Sequence, residues 1–276
     1  MEWLYHYTTP EGLIGIIRDN CLWATDVFYV NDSDELIGGV RLAHKQLGMI
    51  RRSMTDAQQA ERIDWLLHDT RDIGTAKFKT AFVCSLSDQG DLLSQWRAYC
   101  RRGGFAIGFP AQQLREKVEA QQFTLQQCIY DGTEQEKAVR EVLENVAVPW
   151  IRTDPSPVSQ DSQRFKVSGN FVFEIIRTAS RFKHPSFAEE REWRIVSPPE
   201  KRLDPQEWHF RAKDGLIVPY TKVHLPEGLD FWGKVRVIVG PAPHPNESKA
   251  SVYALVRRYK GLGIGIEISP SPYREW

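Results

Sequence analysis

"LYHYTTPEGLIGIIRDNCLWATDVFYVNDSDE", residues 4–35, sets the reading of the whole chain. Leu4 to Thr8 has a strand-like start that ends in the polar cluster His6-Tyr7-Thr8. Thr9 then serves as a helix N-cap with Pro10 at the first helical position. Leu13, Ile16 and Ile17 recur at helical spacing, and Asn20 stops the helix. Cys21 to Thr25 is a second strand-like run. His6, Tyr7 and Thr8 therefore sit at a strand-to-helix junction, where polar groups are presented to a ligand. A histidine beside two tyrosines also reads simply as structural, either a core histidine or one tied to a backbone carbonyl. Asn31, Asp32 and Glu35 form a further polar group, read either as the cap of the next helix, by Asp32 or Ser33, or as a contribution to a site.

Outward from this start, residues 34–50 and 55–68 read as helices and 80–87 as a strand. A short helix follows at 91–100, then a turn and strand at 101–110. A helix from Ala111, a strand at 124–131 and a helix at 133–149 come next. Residues 168–182 are helical and 191–198 a strand. The run 208–225 reads as a hairpin with Asp214-Gly215 at its turn. A buried strand at 235–241, a helix at 246–260 and a closing strand at 263–270 complete the chain. The irregular order predicts an α+β fold with mixed, largely antiparallel sheets and flanking helices. No glycine-rich dinucleotide fingerprint, P-loop or nucleophile elbow is present. The best candidate linker, 148–163, reads equally as a long surface loop, so one domain over 1–276 is expected.

The 276 residues are 41% hydrophobic, with 36 Lys and Arg against 36 Asp and Glu. A neutral chain has no global field toward nucleic acid or anionic lipid. No apolar run is long enough to span a bilayer, so no membrane is expected. Residues 1–9 already read as a strand of mixed polarity, so no signal peptide is expected and the location should be cytoplasmic. The four cysteines form no Cys-x-x-Cys pair and no zinc spacing. Cys21 and Cys84 lie in apolar runs and should be buried reduced thiols; no metal site is expected.

Three polar stations break the apolar pattern. They are His6-Tyr7-Thr8, the segment 84–99 with Ser85, Ser87 and Trp96, and "FAEEREWRIV" at 187–196. If residues 190–196 are a strand, Glu190, Glu192 and Arg194 share one face, with the carboxylates about 7 Å apart. This is either an edge-strand charge ladder or a carboxylate pair facing a cleft. Arg177, Arg181 and Lys183 lead into this strand and could rim such a cleft, meeting phosphates of a nucleic acid. Trp96 reads as core or as a pocket wall.

Four segments in order, "YHYTT…GIIRDNCLWATDVFYVNDSDE", "FVCSLSDQGDLLSQWRAYCRRGGFAIGF", "KHPSFAEEREWRIV" and "VRVIVGP", resemble the bacterial family called domain of unknown function 2971. The order of stations is also similar to ADP-ribosyltransferases, with His-x-Thr on the first strand and E-x-E near the end; Tyr7 stands where those enzymes have a small glycine. The resemblance implies an ADP-ribosyltransferase-like core with helical insertions at 34–70 and 133–182. It implies NAD as cofactor, held by His6, Thr8 and the backbone of Tyr7. Ser85 and Ser87 would line the nicotinamide pocket, with Asn31, Trp96 and Arg194 nearby. Glu192 would be the catalytic carboxylate and Glu190 would position the acceptor, because cleavage of the nicotinamide–ribose bond creates an oxocarbenium-like centre that a fixed carboxylate stabilises. The expected function is an NAD-dependent ADP-ribosyltransferase, a toxin of a bacterial defence or toxin–antitoxin system, acting on RNA, DNA or protein and paired with an antitoxin. The alternatives are an NAD glycohydrolase and a non-catalytic nucleotide- or partner-binding module.

Overall fold

The computed structural model describes residues 2–30, 33–71, 73, 81–100, 103–152, 160–198, 205–213, 215–261 and 263–271. The predicted start is observed. Strand β1 (Trp3–Thr8) leads into helix α1 (Pro10–Asp19), whose N-cap Thr9 accepts a hydrogen bond from the Gly12 amide. Asn20 closes the helix in the left-handed conformation, at φ 54°. Strand β2 (Cys21–Asp26) follows.

Helices α2 (Ser33–Ser53) and α3 (Ala57–Arg71) precede β3 (Phe82–Ser87), α4 (Leu93–Tyr99) and β4 (Phe105–Pro110). Then come α5 (Ala111–Ala120), β5 (Thr124–Gln127) and α6 (Gly132–Val142). A π turn at Leu143–Ala147 joins α6 to α7 (Val148–Arg152), and α8 runs from Gln160 to Ala179. A 3₁₀ turn (Pro185–Glu190) leads into β6 (Glu192–Val196). The chain continues through β7 (His209–Lys213), β8 (Leu216–His224), α9 (Leu229–Trp232), β9 (Arg236–Val239), α10 (Pro245–Lys260) and β10 (Gly265–Ile268). Gly215 takes φ 79° at the β7–β8 turn, the conformation for which glycine is suited.

Ten strands form one mixed, mostly antiparallel open sheet in the order β10-β9-β4-β1-β3-β2-β8-β7, with β6 and β5 branching from β3. β9 and β10 are parallel; the other pairings are antiparallel. The branch has a local cause. β6 pairs with β3 all the way from Val83 to Ser87, so β1 and β2 must share the opposite edge. β1 joins it at Tyr5↔Ser87 and β2 at Thr25↔Val83 and Asp26↔Phe82, so the two splay apart near Ser85.

Both faces of the sheet are covered. On one, Leu4, Leu86, Ile107 and Ile195 pack under residues of α1, α5, α9 and α10. On the other, Val83 and Val196 meet a helical layer made by α2, α3, α6, α7 and α8. That layer joins the two predicted helical insertions, with α2 packed on both α6 and α8. A small third cluster, Tyr7, Trp96, Cys100 and Ala106, seats α4 on the sheet. Three local readings change. β5 ends at Gln127 rather than 131, α8 begins at Gln160 rather than 168, and the helix from residue 132 passes through the π turn to Arg152. Among the described residues, no helix is long and apolar enough to cross a membrane.

Candidate functional site

The third station differs from its sequence reading in two respects. Glu190 is not in the strand: it ends the 3₁₀ turn, and Arg191 at φ 46° breaks the backbone before β6 begins at Glu192. Nor is β6 an edge, because β5 pairs along its outer side; of the charge-ladder reading, the pairing of Arg194 with Glu192 is observed and the edge position is not. Within β6 the period-two alternation holds. Trp193 and Ile195 turn to the first face, while Glu192 and Arg194 share the second with Val196.

Both are buried, and Glu192 is shared between Arg194 and a second cation, Lys183, which was expected at a cleft rim. The Lys183 ammonium donates to Glu190 Oε2 and Glu192 Oε2, each at 2.6 Å. Arg194 Nε donates to Glu192 Oε1 at 2.7 Å, and its Nη1 donates to the Ser180 carbonyl. Side-chain exposure is 2% for Lys183 and Arg194, 4% for Glu192 and 12% for Glu190. The Phe187 ring lies 5.1 Å from the Lys183 nitrogen, and the Tyr130 hydroxyl accepts from the Glu192 amide at 2.8 Å. Burial alone pushes the Glu192 carboxyl up, but Arg194 and Lys183 overcome it and hold it at about 2. Lys183 therefore does not rim an open cleft. A lysine in a basic run reads as solvated surface, so the sequence carried no signal for this role. Tyr130, Ser180 and Cys128, whose amide bonds the Glu192 carbonyl, were likewise missed.

The second station packs onto this network. Ser87 Oγ donates to the Glu190 carbonyl at 2.8 Å and accepts from the Gln89 amide. The Tyr7 hydroxyl donates to the Gln89 carbonyl and accepts from the Leu92 amide, each at 2.9 Å. Trp96 is fully buried, edge-on to Tyr7 at 4.7 Å, with Nε1 on Asp91, so it is core and not an open pocket wall. Ser85 faces Arg194 across the β3–β6 ladder.

His6 and Thr8 do not join this group. Tyr5↔Ser87 and Ser87↔Glu192 put the odd residues of β1 on the Glu192 side, so His6 and Thr8 point to the other face. There His6 pairs with Ile107 of the first core. Its Nδ1 donates to the Ser85 carbonyl at 2.9 Å, where the splay of β1 and β2 leaves that edge of β3 unpaired. Desolvation pulls the imidazole pKa below its ordinary value, which keeps the ring neutral. The half of the first-station reading that tied His6 to a backbone carbonyl is the one observed. Thr8 is buried with its hydroxyl over Gly12. Asn31 lies outside the described residues.

The four cysteines are free and buried, as their apolar settings predicted for Cys21 and Cys84, and burial pushes the Cys84, Cys100 and Cys128 thiols up to about 12. Such thiols are poor nucleophiles at neutral pH.

What defines this protein is thus an α+β fold with a buried, ionised carboxylate network where two of its three polar stations meet. Residues 95–195 match the family model described as "Protein of unknown function (DUF2971)". The similar segment runs from α4 to β6 and contains the whole Lys183–Glu190–Glu192–Arg194 network. No curated protein and no solved structure matches the chain.

Proposed function

We propose that the chain is an NAD-dependent ADP-ribosyltransferase with an ADP-ribosyltransferase-like core, in which Glu190 meets the substrate and Glu192 anchors it. The observation that carries this reading is the unequal exposure of two carboxylates on one ammonium. Glu192 is sealed between Lys183 and Arg194, whereas Glu190 keeps 12% side-chain exposure beside the exposed 3₁₀ turn. A carboxylate fixed on a buried ammonium suits stabilisation of a ribosyl cation, which needs no reorganisation of the group as charge develops. The roles expected from the order of stations are thereby exchanged. Ser87, bonded to the Glu190 carbonyl, positions that carboxylate.

The test is free nicotinamide release from labelled NAD, with protein, RNA and DNA acceptors supplied in parallel. Glu190→Gln is expected to lower release by about a hundredfold, the loss of a few kcal/mol at the transition state, and to lower the melting temperature by removing one partner of the buried Lys183 ammonium, so release is compared at a temperature where the variant is folded. Release that survives Glu190→Gln removes this carboxylate from the chemistry. Release without a labelled acceptor identifies the glycohydrolase.

A second reading has its own support. Both Glu192 oxygens are held by cations, and His6 faces away from that carboxylate. Both features suit a non-catalytic nucleotide- or partner-binding module. It predicts NAD binding, or none, with no nicotinamide release under any acceptor.

A further inference from the structure

A cleft of about 290 Å³ opens between β5, the α6–π-turn segment and α8, away from the Lys183 side chain. Its charged lining is not mutually neutralised. Arg177 is held by Glu174 at 2.5 Å, but Arg181 has no ion pair among the described residues. Arg181 sets Nε and Nη2 on the Gln127 carbonyl, each at 3.2 Å, and its Nη1 has no partner among the described residues. Glu141, on α6, lines the same cleft and is exposed, with no ion pair among the described residues. The two charges feel one another, since Glu141 opposes the downward pull of burial on the Arg181 guanidinium, yet they do not close a contact.

The neutral lining matches this. Thr178 lines the cleft and is only 8% exposed. Asn145, carried on the π turn, adds a side-chain amide, and Val142 and Val146 supply an apolar wall. π turns inside helices are frequent at functional sites because the extra residue widens the local backbone. A cation and a carboxylate that line one cleft without pairing, together with a hydroxyl, an amide and an aliphatic wall, match a molecule carrying both charges close together.

We propose that this cleft binds a small zwitterion of the α-amino acid class, its carboxylate on Arg181, its ammonium on Glu141 and its side chain against Val142 and Val146. This site does not depend on the NAD reading.

Isothermal titration of the full chain with each of the common free amino acids tests it. The best binder is then compared with its carboxyl amide, its N-acetyl derivative and inorganic phosphate. Saturable binding of at least one free amino acid is expected. Blocking either end should weaken it by about tenfold or more, the loss of one charge-assisted hydrogen bond. Arg181→Lys and Glu141→Gln should each do the same; Glu141 is exposed, so its variant keeps the fold, and a thermal melt of both variants checks this. The proposal fails if no free amino acid binds at millimolar concentration. It fails equally if the amide or the N-acetyl form binds as well as the zwitterion, or if phosphate alone binds.

Discussion

Glu192 carries the sharpest consequences at the scale of single residues. Its carboxyl is held at about 2 against an ordinary 4.5, so the folded state binds a proton less readily than the unfolded chain does. The resulting stabilisation is fully present above pH 4.5 and is lost as the pH falls toward about 2. The depression corresponds to about 3 kcal/mol at neutral pH. Urea midpoints measured from pH 7 to pH 2 should therefore fall in that window, and Glu192→Gln should flatten much of the fall. The same substitution leaves Lys183 and Arg194 buried and under-compensated. It should cost about 3–5 kcal/mol in unfolding free energy, the usual penalty for breaking a buried pair from one side. A variant as stable as the parent would show that the network contributes little to folding. The residue types of this site were legible in the chain: Glu190, Glu192 and Arg194 stood out as charges in an apolar run. Lys183 did not, because its inward course is set by Ile129, whose carbonyl accepts from the Lys183 amide across a long sequence gap.

Among the elements, α4 depends most on a backbone approach that leaves no room for a side chain. A Cβ at Gly240 would stand 2.8 Å from Trp96 Cε3 and Cζ3 and 3.1 Å from the Gly104 carbonyl. Trp96 has no exposed surface and is fixed by Tyr7 and Asp91, so it cannot turn aside. Gly240→Ala should destabilise the chain by about 1–3 kcal/mol through overpacking. Thermal melts followed by tryptophan fluorescence would report it, and an unchanged melting temperature would mean that α4 can lift from the β4–β9 pair. Element types were largely readable from periodicity and caps, as the Thr9 cap and the Asn20 stop show. Ends were less so. β5 stops short of residue 131 because Ile129 exchanges its backbone bonds with Arg181 and Lys183 instead of β6, and α8 begins well before its most apolar stretch.

For the molecule as a whole, the question is whether its two large cores are one folding unit. Ile195 and Val196 are neighbours in β6, both fully buried, yet they enter opposite cores. Every strand that alternates in this way ties the two helical layers together. Ile195→Ala should cost about 2–5 kcal/mol and Val196→Ala somewhat less, each from a cavity. Both should shift a single cooperative urea transition, seen alike by circular dichroism and by fluorescence. Two separated transitions, with each variant moving only one, would mean that the α2–α3 and α6–α8 layer folds apart from the sheet. The chain by itself determined the α+β class, most of the elements and the residues from which a site could be made, since caps, turns and periodicity act within a few residues. Tertiary pairing decided the rest. It put β5 outside β6, turned Lys183 inward, and sent His6 to the face opposite Glu192. The alternation of side chains along a strand is local, but the neighbour that lies beside it, and the layer that covers it, are chosen by contacts between residues far apart in sequence.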